Sequence, residues 1–268
     1  MQHFSADSLI LRAVDRGEND KLLTVLTADY GRFYAILKGA HSMHRREAAA
    51  AEPYTWANVE FYERNGVKWV KNATALDSFP GIRYDMEKLF LAAYVCEVAF
   101  ELSDERTPAG EILPLALNTL YMLSVTKGED RRIKAAFEMR AAAIAGFRPE
   151  LGRCRRCGRP IAGDSWLDVM NGAPLCTVCH QGDRLPLYSP EEALGERVLI
   201  LPMPAGTRAA IDYVSSAEDK RIFSFRITDE ASLDAFSRAA EDYLLHHLER
   251  GFPTLENYKK LGALRPGC

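Results

Sequence analysis

No stretch of this chain is apolar for long enough to cross a bilayer. The most apolar run, residues 89–100 (LFLAAYVCEVAF), carries Glu97 and falls well short of the roughly 20 residues a span needs, so it reads as a buried helix. The N-terminus, MQHFSADSLILRAVDRGEND, lacks a basic segment followed by an apolar core, which excludes a secretory signal there. Positive charge is not in excess: 34 Lys+Arg stand against 37 Asp+Glu, a net charge of −3, and that balance alone argues against nucleic acid. Internal repeats and low-complexity tracts are missing. So are the phosphate loop G-x-x-x-x-G-K-[ST], a G-x-G-x-x-G after a strand and the G-x-S-x-G elbow. None of the six histidines (His3, His41, His44, His180, His246, His247) sits beside a nucleophile in sequence. The expectation is a protein that is not an enzyme and has no small-molecule substrate.

What is there fits ordinary globular usage. With 47% hydrophobic and 26% charged residues over 268 positions, one or two compact domains and a small third module are expected. Residues 9–14, 21–27, 32–38, 56–63 and 67–75 read as strands. Turns fall at Gly17, at Asp29-Tyr30-Gly31 and at Asn65-Gly66, the last a strong hairpin signal. Five short strands in about eighty residues suit a small closed barrel, since closure removes exposed edges. An OB-type barrel ranks first, with an SH3-like barrel or short sandwich also compatible. From Ile82 the period becomes helical, with helices over 82–100, 109–126, 129–146, 190–201 and 233–250 and a short one from 253. Pro or Gly stands at most breaks.

Four of the six cysteines form two C-x-x-C steps, Cys154-Arg-Arg-Cys157 and Cys176-Thr-Val-Cys179, separated by residues 158–175. Each step is a turn that aims two thiolates inward, and four thiolates complete the tetrahedron Zn²⁺ prefers. The intervening residues read as a hairpin turning at Asn171-Gly172, and Arg153, Arg155, Arg156 and Arg159 are expected to favour deprotonated thiols. A full set of four protein ligands leaves no open position, so one structural zinc is expected. Paired thiols of this kind belong in a reducing compartment, the cytoplasm. A nucleobase deaminase needs Pro-Cys-x-x-Cys with an upstream His-x-Glu. Here the proline is one place off, in Pro174-Leu175-Cys176, and His247-Leu248-Glu249 lies downstream.

Counted by segment, the charge is uneven. Residues 1–80 are neutral, 81–130 carry −5, 131–160 carry +7 and 161–268 carry −5. The candidate DNA-binding residues are Arg32, Lys38, Arg45 and Arg46 in the barrel, and Arg131, Arg132, Lys134, Arg153, Arg155 and Arg156 around the first C-x-x-C step. A charge run is also what a solvated face looks like. Phe33, Tyr34 and Trp56 could stack bases, although a barrel core needs aromatics too.

Several stretches in order resemble one family. They are Leu11-Arg12, Gly17-Glu18-Asn19-Asp20-Lys21, Leu26-Thr27, Tyr30-Gly31, Lys38-Gly39-Ala40 and Glu52-Pro53-Tyr54. Then come KAAFEMR (134–140) and GFRPEL (146–151) running into the first C-x-x-C step, and finally YLLHHL (243–248) with TLENYKKL (254–261). This set resembles the bacterial RecO family of recombination mediators along nearly the whole chain. The resemblance implies an α+β multidomain protein: an N-terminal OB-fold β-barrel (1–80), then an α-helical domain (81–153 and 186–268) with an inserted four-cysteine zinc module (154–185). It implies DNA repair by binding single- and double-stranded DNA, annealing complementary strands, and working with RecR to load RecA onto DNA covered by SSB. It places the protein in the bacterial cytoplasm, at the nucleoid when engaged. The family's basic loop maps onto residues 41–46, where His41 and Ser42 replace a common basic pair. A protein–protein adaptor without direct DNA binding, and a zinc enzyme acting on RNA, are the competing readings.

Overall fold

Alternation of inward and outward side chains builds the N-terminal part as five strands: β1 (Gln2–Arg16), β2 (Asp20–Thr27), β3 (Gly31–Leu37), β4 (Trp56–Arg64) and β5 (Val67–Asp77). They close into a barrel in the order β1-β2-β3-β5-β4, the OB arrangement. The computed structural model describes residues 2–40, 47–105, 107–181 and 199–263. β1 starts earlier than the apolar pattern suggested, because its polar first half pairs with β4 from Gln2↔Glu63 to Leu9↔Trp56 while its second half pairs with β2. A register shift between Ile10 and Arg12 lets the long strand bend between its two partners. The parallel pairing of β3 with β5 closes the ring, and a short helix, α1 (Glu47–Ala50), precedes β4. Ile10, Leu23, Val25, Phe33, Leu37, Val59, Phe61 and Val70 fill the interior. Phe61 packs between Phe4 and Phe33 at 5.1 Å from each.

Two compact units form, residues 1–130 with 252–268, and residues 131–251. In the first, the barrel is followed by α2 (Pro80–Arg83), α3 (Met86–Glu101) and α4 (Ile112–Val125), with α9 (Pro253–Ala263) packed on α3. Asp85 caps α3 by accepting from the N–H groups of Glu87 and Lys88. The apolar run is the buried helix expected of it. Its lone charge, Glu97, accepts hydrogen bonds from the hydroxyl and N–H of Thr254, which meets the requirement that a half-buried carboxylate keep its partners. Gly81 lies so close to α4 that a Cβ there would fall 1.9 Å from the Ser124 oxygen.

The second unit holds α5 (Asp130–Ile144), the hairpin β6 (Ser165–Asp168) and β7 (Ala173–Cys176), α6 (Thr177–Gln181), β8 (Ile200–Met203), α7 (Ala205–Ser216) and α8 (Glu230–His247). Buried Phe137 and Met139 of α5, Ile211 and Val214 of α7, and Phe236 and Tyr243 of α8 form its core. The helix expected over 190–201 is corrected at its end: Ile200 and Leu201 are strand, because they pair with Asp168 and Leu167 of β6. Residues 182–198 lie outside the described ones. No helix among the described residues is long and apolar enough to cross a membrane.

Candidate functional site

The cysteine module is built from turns and one hairpin. The Cys154 carbonyl accepts from Gly158 N–H at 2.8 Å, and Gly158 takes the left-handed φ of +71° that closes so tight a loop. Across it, the β6–β7 hairpin turns at Asn171-Gly172, as the sequence indicated. There the Asp168 carboxylate accepts from the Asn171 main chain at 3.2 Å. Pairing of Ser165 with Cys176 then carries the second cysteine step to the first. The four ligand sulfurs of Cys154, Cys157, Cys176 and Cys179 lie within 4.8 Å of one another. A tetrahedron with bonds of about 2.3 Å has edges of about 3.8 Å, and Cys157 Sγ to Cys176 Sγ is 3.8 Å. Ile161, Leu175, Trp166 and Ile200 pack a small apolar layer against the cluster. The donor set and its spacing therefore suit one tetrahedral, thiophilic ion.

Burial opposes a thiolate at Cys154. The N–H groups of Cys176, Cys157 and Arg156 and the Cys157 thiol outweigh that opposition and hold its pKa at about 6. Cys179 is pushed up to about 12 by burial and by the crowding of the other three sulfurs, the response expected of thiols that share one small volume. The expected role of the arginines is corrected: main-chain N–H groups, not guanidiniums, favour the Cys154 thiolate. Arg155 instead donates to the fully buried Asp168 at 2.5 Å, while Arg153 and Arg156 donate to the carbonyls of Gly158 and Cys179. His180 stacks on Trp166 at 4.1 Å, and His247 bonds to the Val169 carbonyl through Nε2, so neither joins the sulfur cluster.

The other basic candidates are placed as follows. Arg32 lies over the Phe100 ring at 3.7 Å and donates to the Ser103 carbonyl. Arg131 pairs with Glu230 and Asp234 at 2.5 and 2.6 Å. Arg132 donates to the Phe223 carbonyl and lies over Phe225. Lys134 is buried between Glu138, 2.8 Å away, and Glu241, 2.7 Å away, so its charge is spent inside the fold. Lys38 is exposed, with its ammonium 4.7 Å from the Trp69 ring centre. Arg45 and Arg46 lie outside the described residues.

Of the aromatic candidates, Phe33 is core, Trp56 is half-buried and Tyr34 is exposed. Sequence reading passed over Tyr62 and Trp69, which meet on the barrel's outer face with ring planes 13° apart. The signal was present: a two-residue turn at Asn65-Gly66 sets Tyr62 opposite Trp69.

The family description "Recombination protein O N terminal" matches residues 1–79, and "Recombination protein O C terminal" matches residues 83–256. The chain belongs to the RecO family. Among its relatives, the DNA repair protein RecO of Anaeromyxobacter dehalogenans (strain 2CP-C) is 30% identical over 270 residues, covering 100% of both chains. That of Acetivibrio thermocellus is 24% identical over 265 residues, 99% of this chain and 100% of the relative. The RecO protein of Pelotomaculum thermopropionicum is 30% identical over 179 residues, 67% of this chain and 69% of its own. The N-terminal match ends just after β5 and the C-terminal one begins before α3, so each RecO half corresponds to a distinct structural part: the barrel, and the helices with their cysteine module.

Proposed function

We propose that this RecO-family chain is a non-enzymatic, sequence-tolerant DNA-binding mediator of repair. In this reading it anneals complementary single strands and, with RecR, helps load RecA onto SSB-covered DNA in the bacterial cytoplasm. The observation that carries the reading is the match of both halves, closed barrel and cysteine-bearing helical part, to one recombination-protein family. The working division of the chain is 1–80 for the barrel, 81–153 with 186–268 for the helical domain, and 154–185 for the inserted module.

Physically, basic side chains draw in phosphates with release of counterions, while unpaired bases stack on exposed rings without regard to sequence. Two strands held by one molecule meet at a high effective concentration, so pairing becomes nearly intramolecular. No covalent step is required. Lys38, Arg45 and Arg46 would serve the barrel, and Arg153, Arg155 and Arg156 the cysteine module. Arg32, Arg131, Arg132 and Lys134 contribute chiefly to the fold through the partners given above. Cys154, Cys157, Cys176 and Cys179 would hold one Zn²⁺, which supplies a structural cross-link between the two turns.

The test is oligonucleotide binding by fluorescence anisotropy across a salt series. Contact with roughly six phosphates of a single strand gives a log–log slope near −4. A slope near zero, or no binding at low salt, would return the chain to the adaptor reading.

A further inference from the structure

Barrel strands alternate, so the residues flanking the core side chains Phe61 and Val70 face outward. Tyr62 and Trp69 are those residues, and they sit directly opposite each other on β4 and β5. On β1, His3 is opposite Tyr62, and on β3, Ile36 is opposite Trp69. Three rings therefore run side by side over three neighbouring strands. Tyr62 and Trp69 have centroids 6.3 Å apart and planes 13° apart, and His3 follows at 6.1 Å from Tyr62 with a tilt of 35°. Neither Tyr62 nor Trp69 is needed to fill the interior, which Phe4, Phe33 and Phe61 already occupy. Both are half-exposed, and His3 is exposed.

Two nearly parallel rings on an open sheet present a flat apolar surface whose natural complement is another flat ring. The charge beside them sets the kind of ring. The Lys38 ammonium lies over the edge of this surface, 4.7 Å from the Trp69 centroid, and makes no ion pair among the described residues. Lys68 and Lys71, also on β5, are matched by Glu63 and Glu60 at 3.6 and 3.2 Å, so Lys38 supplies the uncompensated charge at the platform. Beyond His3 the surface continues into an open groove of about 410 Å³ lined by His3, Phe4, Ser5, Glu60, Phe61 and Lys71, ample for a neighbouring nucleotide. Flat rings, one cation at their edge and an adjoining groove fit a base with its phosphate, repeated along a strand.

We propose that Tyr62 and Trp69, with Lys38 at their edge and His3 extending the row, form a base-stacking platform for single-stranded DNA. The proposal rests on the reading of the chain as a DNA binder and adds where unpaired bases sit. Duplex DNA, whose bases are already stacked, has nothing to offer these rings. The platform therefore confers preference for single strands, and Lys38 contributes one phosphate contact.

The chain has three tryptophans, Trp56, Trp69 and Trp166, so W56F/W166F leaves Trp69 as the only indole. The experiment titrates this full-length protein with oligo(dT) and with a duplex of equal length, following indole emission and anisotropy together. Y62A and K38A are titrated beside it after a thermal melt confirms folding. Oligo(dT) is expected to quench Trp69 with the same midpoint as the anisotropy, whereas the duplex leaves emission unchanged. Loss of one stacked base in Y62A should weaken oligo(dT) binding by about 5- to 150-fold and leave duplex binding as it was. K38A should lower the single-strand salt slope by about 0.7. If oligo(dT) binds tightly without quenching Trp69 and Y62A binds as the parent does, the platform is refuted while the DNA-binding reading stands. If neither oligo(dT) nor duplex binds, the reading itself fails and the platform falls with it.

Discussion

Replacing Lys134 with Met separates a structural lysine from a phosphate-binding one. The ammonium lies 2.8 Å from Glu138 and 2.7 Å from Glu241, with side-chain exposures of 3%, 0% and 17% for the three residues. Burial by itself would lower the Lys134 pKa, but the two carboxylates outweigh it and hold the ammonium above the ordinary lysine range. Methionine keeps most of the aliphatic stem and removes only the charge, which leaves Glu138 enclosed without its counter-ion. Breaking a buried pair in this way costs about 3–5 kcal/mol. Glu241 retains some solvent, so the lower end is expected. At roughly 2–4 °C per kcal/mol for a protein of this size, K134M should melt about 6–12 °C below wild type near neutral pH. The deficit should shrink in acid, where the stranded carboxylate takes up a proton, and K134M/E138Q should recover at least half of it. Thermal melts by circular dichroism, run beside oligonucleotide binding below the melting range, give both readouts. If K134M melted with wild type yet lost DNA affinity, the lysine would be serving phosphate and the burial argument would be wrong.

Metal analysis of reduced protein should find about one zinc per chain. A strong chelator, or Cys154→Ser, should unfold the module and expose Trp166 to quenchers, because binding energy at such a site is folding energy. Gly31 has φ +64°, and a Cβ there would lie 2.1 Å from the Thr107 carbonyl oxygen. Gly31→Ala should cost about 2–5 kcal/mol from left-handed strain plus overpacking. Gly17→Ala, at φ +67° in open space, should cost only the strain of about 1–2 kcal/mol, and denaturant titration separates the two. Burial and the adjacent His246 lower the His247 pKa against the opposing Val169 carbonyl. The fold therefore favours the neutral ring, and its contribution is intact above the unfolded pKa of about 6.5 and declines as the pH falls below it. Comparing the acid limbs of wild type and His247→Gln should show a shallower loss in the variant.

The barrel was legible because its determinants are local. Gly17, Gly31 and Asn65-Gly66 all adopt positive φ at strand ends, and the strands between them alternate. The cysteine module was legible for the same reason, two C-x-x-C steps joined by a short hairpin. β8 was not, since ILPM becomes a strand only through pairing with β6, more than thirty residues earlier. α7 was also missed. Its sequence AGTRAAIDYVSS follows Pro204 and has Gly206 in its first turn, weak helix signals that burial of Ile211 and Val214 overrides. The fate of the basic residues was the least legible feature. Arg131 meets Glu230 and Lys134 meets Glu241 at separations of 99 and 107 residues, so a run of positive charge in sequence became, in part, a set of internal ion pairs. Tyr62 and Trp69 were readable from the hairpin register but required asking which residues a two-residue turn sets face to face.

The most direct test is strand annealing: complementary oligonucleotides carrying a donor and an acceptor dye, mixed at low salt with the full-length protein and with Arg→Glu changes at 45 and 46 or at 155 and 156. Annealing well above the spontaneous rate, slowed by the charge reversals and by added salt, is the predicted result. Wild-type protein that is folded and metal-loaded yet neither binds nor accelerates pairing would contradict it.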